Sequence, residues 1–483
     1  MRYNALRFTK CMGFCIAFLV GGPAFAQSST KITSPQASST YKPTKTQKSS
    51  EDLTASFGLD LKAIAYTEPS SVDGNSQQQI QAEMHLKQQG SFFTETDLYL
   101  GTFTEANSVY YAAPQAYVGI KGSSESSLTV GRKLENLSFA DSFFNFGLMQ
   151  SYSTQDNIEF TQGGLTGFSG HLSSGSMGVM ASFNPIFIPN QGPQINAENG
   201  QIISSSRWAQ QPPSKFKFGD QFQNINYAIN DYKITDIISH GGYMLNAYAG
   251  GSNKQRPVLV VSYGKKPINE VALSRDTYGN IANFEGYVFL TPTVLRHEVQ
   301  SADLNLDYEN IKTTISYLAD SPENIAAKDL EVMQKLSPLS IVSFYTSIDL
   351  KEVLGKKFEA YAAAAIIEGG EIKDVDSQGK DSIFTVSNSR TQFKRPLKLG
   401  VKSDMFYIYN NALEADVNLT YDQQLKGSLL SAKLKYETIK NMYVSVGADI
   451  IGVENELPAD EQGNFLDQYK ANDRFYGGIK YVF

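Results

Sequence analysis

From Leu53 to Phe483 apolar and polar residues alternate with a period of two. Phe57, Leu59, Leu61, Ala63 and Ala65 share one face, with Asp60 and Lys62 on the other. Ile80, Ala82, Met84 and Leu86 oppose Gln81, Glu83, His85 and Lys87. Late in the chain Leu413, Ala415, Val417, Leu419 and Tyr421 oppose Glu414, Asp416, Asn418, Thr420 and Asp422, and Leu430, Ala432, Leu434 and Tyr436 oppose Ser431, Lys433 and Lys435. An amphipathic helix would repeat near every 3.6 residues, so these segments are strands with one apolar and one polar face. Several runs last about nine to twelve residues. That is longer than the usual strands of soluble sheets, about five or six residues, and matches the about nine to eleven that a tilted strand needs to cross a bilayer.

The connections alternate too. Short ones fall at 88–91, 122–125, 173–175, 351–356 and 437–440, and long ones at 133–164, 184–221, 320–338, 369–395 and 452–473. Transmembrane barrels set short turns at one end and long loops at the other, and closure leaves no backbone edge unpaired in lipid. The pattern predicts an all-β, transmembrane antiparallel β-barrel of 16–20 strands over 53–483, with 18 the best count and an even number because both ends should be periplasmic. Pro257, Pro267 and Pro292 interrupt the alternation in 232–312. Ile325, Leu330, Met333 and Leu336 have helical spacing and predict a short helix within 322–336. A soluble secreted solenoid or sandwich is disfavoured by the strand length and by the aromatic C-terminus.

The first 26 residues differ. Arg2, Arg7 and Lys10 precede a short apolar stretch from Cys11 to Gly22, and Ala24-Phe25-Ala26 supplies a small-x-small cleavage pattern. This predicts a cleaved signal peptide over 1–26. Its removal takes both cysteines and shifts the net charge from −7 to −10, leaving no thiol for a disulfide, a zinc site or a nucleophile. Residues 27–52 are rich in Ser, Thr, Lys and Gln and predict a disordered periplasmic tether. No later apolar run is long enough for a membrane helix. The charged fraction of 19% and aromatic fraction of 12% suit a wall that meets lipid on one side and water on the other, with aromatic girdles at the interfaces.

Phe475, Gly477, Ile479, Tyr481 and Phe483 occupy one face of the last strand, and the chain ends on that Phe. This resembles the terminal strand of Gram-negative outer-membrane β-barrels. The resemblance covers 53–483 and implies an outer-membrane location, a surround of outer-membrane lipids, and Tyr481 and Phe483 as the signal read by the barrel-insertion machinery. The stretch Leu128-Thr129-Val130-Gly131-Arg132-Lys133 is faintly similar to a strand of large porins and alginate-export barrels. Large porins are often trimers, so the resemblance also allows a homo-oligomer.

Sixteen or more strands leave a lumen, so the polar faces bear on function. They carry the acids Asp60, Glu83, Asp97, Asp303, Asp307, Asp349, Glu359, Asp404, Glu414, Asp416, Asp422 and Asp449, and the bases Lys62, Lys87, Lys398, Lys402, Lys433, Lys435 and Lys480. Asp303, Asp307, Lys398, Lys402, Glu414, Asp416, Lys433 and Lys435 are the candidate lumen-lining set. The mild acidic excess predicts at most a weak cation preference and excludes a phosphate-selective basic pore; the same charges could instead pair across the wall. Loop 133–164 carries Asp141, Asp156, Phe139, Phe143, Phe144 and Phe146, aromatics that predict an inward fold or a partner. Loop 184–221 carries four turn signals together with Arg207 and Trp208; Trp208 would stack on a sugar or anchor the loop by packing. These loops are the candidate constriction.

Covalent chemistry finds little support. Asp374, Asp376 and Asp381 match no calcium loop, and His85, His171, His240 and His297 form no metal motif. His171 and Ser173 share a strand face and resemble the His-x-Ser pair of outer-membrane lipid A deacylases, although Ser173 to Ser176 also reads as a turn. No phosphate-binding loop appears, and an acidic chain is a poor nucleic-acid binder. The expected protein is a non-enzymatic channel without cofactor or metal, passing small polar solutes or exporting a polar polymer such as a polysaccharide. The alternative is a surface interaction or adhesion barrel with a plugged lumen, and the weaker one an outer-membrane lipid hydrolase.

Overall fold

The computed structural model describes residues 53–483 apart from 71, 73, 105–107, 123–124, 155, 210–211, 219–220, 251–257, 281–284, 328–330, 381–388, 410 and 455–463. The proposed signal peptide and tether, with both cysteines, lie outside the described residues, as do Pro257, Leu330 and Asp381.

Eighteen strands close into one antiparallel barrel. In chain order they are β1 Leu53–Ser70, β2 Gly74–Gln88, β3 Phe92–Phe103, β4 Ser108–Lys121, β5 Ser127–Lys133, β6 Leu165–Ser174, β7 Met177–Ile186, β8 Gly242–Ala249 and β9 Val258–Pro267. The second half comprises β10 Arg296–Tyr308, β11 Ile311–Glu323, β12 Leu339–Asp349, β13 Phe358–Gly369, β14 Pro396–Ile408, β15 Asn411–Asp422, β16 Gly427–Ile439, β17 Met442–Val453 and β18 Arg474–Val482. Each strand pairs with the next, and β18 closes on β1 in the register Leu59↔Tyr481, Leu61↔Ile479 and Ala63↔Gly477. Phe483 adds a last ladder bond, its N–H donating to Phe57 O at 2.7 Å. The even strand number puts both barrel ends at the short-turn end, where 175–176, 309–310 and 440–441 are among the tightest connections.

The alternation becomes an outside and an inside. Leu59, Leu61, Leu100, Leu128, Val179, Val342, Leu399, Val417 and Ile479 are exposed on the outer face, while inward positions hold the charged and polar residues. This is the reverse of a soluble protein, and it is stable only where the outer face meets hydrocarbon. Glycines on the inner face accommodate large neighbours. Gly447 faces Tyr476 across the ladder, and a Cβ there would lie 2.4 Å from the ring's Cζ. Gly447→Val is expected to destabilise the barrel by about 1–3 kcal/mol through overpacking, read as a lower temperature for loss of the compact, unboiled gel band; an unchanged temperature would refute the packing.

The long-loop end has its own architecture. Strands Lys215–Phe218, Gln221–Ile229, Glu285–Thr293, Ala272–Asn280, Glu331–Leu336 and Ile372–Val375 form a six-stranded sheet in that order, drawn from the loops 187–241, 268–295, 324–338 and 370–395. Gln221–Ile229 pairs parallel with Glu285–Thr293, so two different loops supply one ladder. Two expectations are corrected here. The loop expected at 184–221 runs from 187 to 241, because the alternating stretch after 221 joins this sheet rather than the wall. The helix expected within 322–336 is not formed: β11 continues through Glu323, and Glu331–Leu336 is a strand whose Met333 and Leu336 are buried. Ladder partners at Ser274 to Asp276 satisfy its backbone, and that pairing overrides a short helical spacing.

The candidate site in the barrel lumen

Loop 134–164 leaves β5 and turns into the barrel. Ser138 caps the short helix α1, Phe139–Phe144, by accepting from Asp141 N, and Asn145 ends it in the left-handed region at φ 55°. The loop is seated on the far wall: Ser262 Oγ on β9 and Ser301 Oγ on β10 both donate to Leu137 O, at 2.5 and 2.7 Å, and Phe139 N donates to Asp303 Oδ2 at 2.7 Å. Leu137, Ala140, Phe146, Leu148 and Met149 pack on Met180, Met244, Val299, Leu318 and Ile341 from that wall. Of the two expectations drawn from its aromatics, an inward fold or a partner, the inward packing is observed.

The loop covers the wall around β7–β13 and leaves β14–β18 and β1–β4 lined by charge. Lys402 lies 3.9 Å from Asp416 and Lys435 lies 3.7 Å from Glu414, and these side chains remain 30% to 52% exposed. Lys480 pairs with Glu83, Lys87 with Glu95 at 3.0 Å, and Lys62 with Glu159 of the inserted loop at 2.7 Å. His85 stands between Asp97 at 2.8 Å and Glu83 at 3.4 Å. Burial raises the Glu159 carboxyl, but Lys62, Arg474 and Lys433 outweigh it and hold the group well below the ordinary carboxylate range.

The expected lumen residues thus divide. Asp303 is 2% exposed and serves as the loop's anchor. Asp307 lies on the same inward face two steps of the alternation beyond Asp303, nearer the short-turn end. Lys398, Lys402, Glu414, Asp416, Lys433 and Lys435 stand together on β14, β15 and β16, with Lys402 opposite Asp416 and Asp416 opposite Lys433 in the ladder.

The loop residues converge elsewhere. Loop 187–241 reaches β1 and β18. There Arg207 Nε donates to Asn472 Oδ1 at 3.0 Å, its Nη2 donates to Glu68 O at 2.8 Å, and its guanidinium lies 3.8 Å from the Tyr66 ring centroid. Trp208 is 3% exposed and packs on Tyr469 at 5.3 Å, so it anchors the loop by packing. Beneath it Arg474, with a fully buried side chain, joins Asp449 at 2.7 Å, Asp156 at 2.8 Å and Glu159 at 3.9 Å. Arg474 was missing from the expected set, although its even numbering places it on the inward face with Tyr476 and Lys480. A second buried cluster, His297, Asp320 and Arg390, ties β10 and β11 to loop 370–395.

The chemical alternatives can be followed among the described residues. Ser173 Oγ donates to Glu125 O at 2.8 Å, whereas His171 Nε2 lies 3.1 Å from Glu135 Oε1. The pair is therefore spent on separate partners rather than joined as nucleophile and base. Asp374 is buried against Arg275 in the loop sheet, and Asp376 accepts from Gln378 N and Lys380 N at 2.9 and 2.8 Å in a turn. Among the described residues no group of three or more potential metal ligands occurs.

A closed wall with an apolar exterior, a charged interior and a loop folded into its lumen defines the class: an outer-membrane-type β-barrel. Solved structures similar in fold include Acinetobacter baumannii OccAB4, with a TM-score of 0.46 at 9% identity over 90% of this chain and 99% of that one. Pseudomonas aeruginosa OccK9 (OpdG) gives 0.44 at 10% identity over 89% and 98%. A loop-deletion mutant of OmpT, an outer membrane protein of Vibrio cholerae, gives 0.38 at 8% identity over 89% and 99%. Likenesses this distant transfer no residue roles. No family model matches the sequence, and no curated protein matches it.

Proposed function

We propose that the protein is an outer-membrane channel through which small polar solutes pass without covalent chemistry, narrowed by loops 134–164 and 187–241. One observation carries this reading: inward charges on β14–β16 stay partly exposed while the facing wall is buried under the loop. Charges at that depth keep their hydration only beside water, so the uncovered half of the lumen holds a polar path. Opposite charges alternate along it, which suits solutes of either sign and gives weak selectivity.

The six-stranded sheet at the long-loop end favours a second reading, a surface interaction barrel whose mouth is blocked. Purified protein in a planar bilayer separates the two. Discrete conductance steps are expected, and undocking loop 187–241 with Trp208→Ala, which removes about 3–5 kcal/mol of packing, should enlarge them. A silent bilayer for the native chain, with conductance appearing only in the variant, would establish the blocked barrel instead.

A further inference from the structure

Tyr361 on β13 faces Gly400 on β14 in the ladder. With no side chain at 400 the phenol lies across the strand, and a Cβ there would meet Tyr361 Cζ at 2.2 Å. Lys398 and Lys402 stand on the inward face on either side of that glycine, and each ammonium lies over a different ring of the same cluster. Lys402 Nζ is 5.9 Å from the Tyr361 centroid and Lys398 Nζ is 5.2 Å from that of Phe143 on α1. Phe143 meets Tyr361 edge-on, with centroids 5.9 Å apart at 88°. Wall and inserted loop thus build one half-buried aromatic corner with a cation at each side.

The charges around this corner are unevenly matched. Lys402 has Asp416 at 3.9 Å and Lys435 has Glu414 at 3.7 Å. Among the described residues Lys398 has no carboxylate within 4.0 Å and no hydrogen-bond acceptor, although it is half-buried. Its ammonium is half-shielded beside Phe143 and feels Asp416 only beyond salt-bridge distance, a charge it shares with Lys402, so an incoming anion gains there. Asp416 beside Lys402 opposes a second negative charge on that side.

We propose that this corner is a binding site for small organic monoanions with a flat apolar body, the anionic group on Lys398 and the flat body against Tyr361 and Phe143. The proposal rests on the channel reading, since it places the site on the solute path. Benzenesulfonate, its neutral isostere benzenesulfonamide and the ringless methanesulfonate test it on the full barrel, by calorimetry in detergent and by current block in a planar bilayer. Benzenesulfonate should bind and block most strongly. Lys398→Met should weaken it about tenfold, the loss of one charge-assisted contact, and Lys398→Arg should restore it. Tyr361→Leu should reduce benzenesulfonate to the level of methanesulfonate. Equal binding of the sulfonate and the sulfonamide to the native barrel would overturn the site without recourse to any variant, as would a Lys398→Met barrel that binds normally. The two readings fail differently: conductance in KCl with no discrimination among the probes removes the site and leaves the channel, whereas Lys398-dependent binding in a silent bilayer removes the channel and leaves the site.

Discussion

Arg474→Met is expected to cost about 3–5 kcal/mol, the usual consequence of stranding buried carboxylates by removing their partner. Asp449 and Asp156 would each lose a bond of 2.7 or 2.8 Å in a place where both are buried. Three segments depend on this one guanidinium: β17 through Asp449, loop 134–164 through Asp156 and Glu159, and loop 187–241 through Trp208, whose ring lies 5.7 Å from Arg474 Cζ. The ladder itself is untouched, so the variant should still show the compact band of a folded barrel on an unboiled gel, at a lower melting temperature. If the two loops narrow the lumen as proposed, its conductance should be larger and noisier, because both lose a fixed point. Arg474→Lys should recover little, since a point charge cannot serve two carboxylates as a planar fork does. Adding Asp156→Asn and Asp449→Asn to Arg474→Met should recover much of the stability, because the uncompensated charge is then gone. Native melting and native current in Arg474→Met would show that the cluster holds nothing in place.

Much of this molecule was legible before its structure. A period-two pattern means a strand, its length means a membrane, and an aromatic terminus on one face places the last strand; the closed 18-strand wall follows the same residues. What alternation cannot convey is which sheet a strand joins. Gln221–Ile229 and Ala272–Asn280 alternate as wall strands do, yet they pair with each other's neighbours outside the wall, because ladder partners are chosen by loop geometry far away in sequence. Inward position was also readable, but not its consequence. Asp303 and Glu414 look alike in a pattern of faces; the inserted loop buries one as an anchor and leaves the other in water. Trp208 and Arg474 lie far apart in the chain, and nothing local announces that they meet.

A single buried acid holds the turn of the lumen loop, and its replacement tests the proposed narrowing by that loop. Asp141 is 3% exposed and accepts from Leu148 N at 2.8 Å and Met149 N at 3.0 Å, which folds the turn after α1 back onto the helix. Asp141→Ala removes both acceptors and leaves two buried N–H groups unpaired, at about 1–3 kcal/mol each. The loop should loosen, Phe139 and Phe143, whose ring centroids lie 4.9 and 5.0 Å from that of Tyr345 on β12, should lose that seat, and single-channel current should fluctuate between levels. Asp141→Asn keeps one acceptor and sets an N–H₂ against the other donor, so its current should fall between that of the native protein and that of Asp141→Ala.

The same pair separates charge from geometry through pH. Burial pushes the Asp141 carboxyl above its ordinary value, and the two backbone donors and Lys266 only partly offset that. A raised acid binds its proton more tightly in the folded state than in the unfolded one. Its contribution to stability is therefore full below the unfolded value, about 4, and is lost as pH rises through the folded value. Native protein should thus melt progressively lower across that window, and Asp141→Asn, which has no proton to lose, should flatten the part of the slope that belongs to this residue. Identical slopes in the two proteins would mean that Asp141 stays ionised in place, held by its donors.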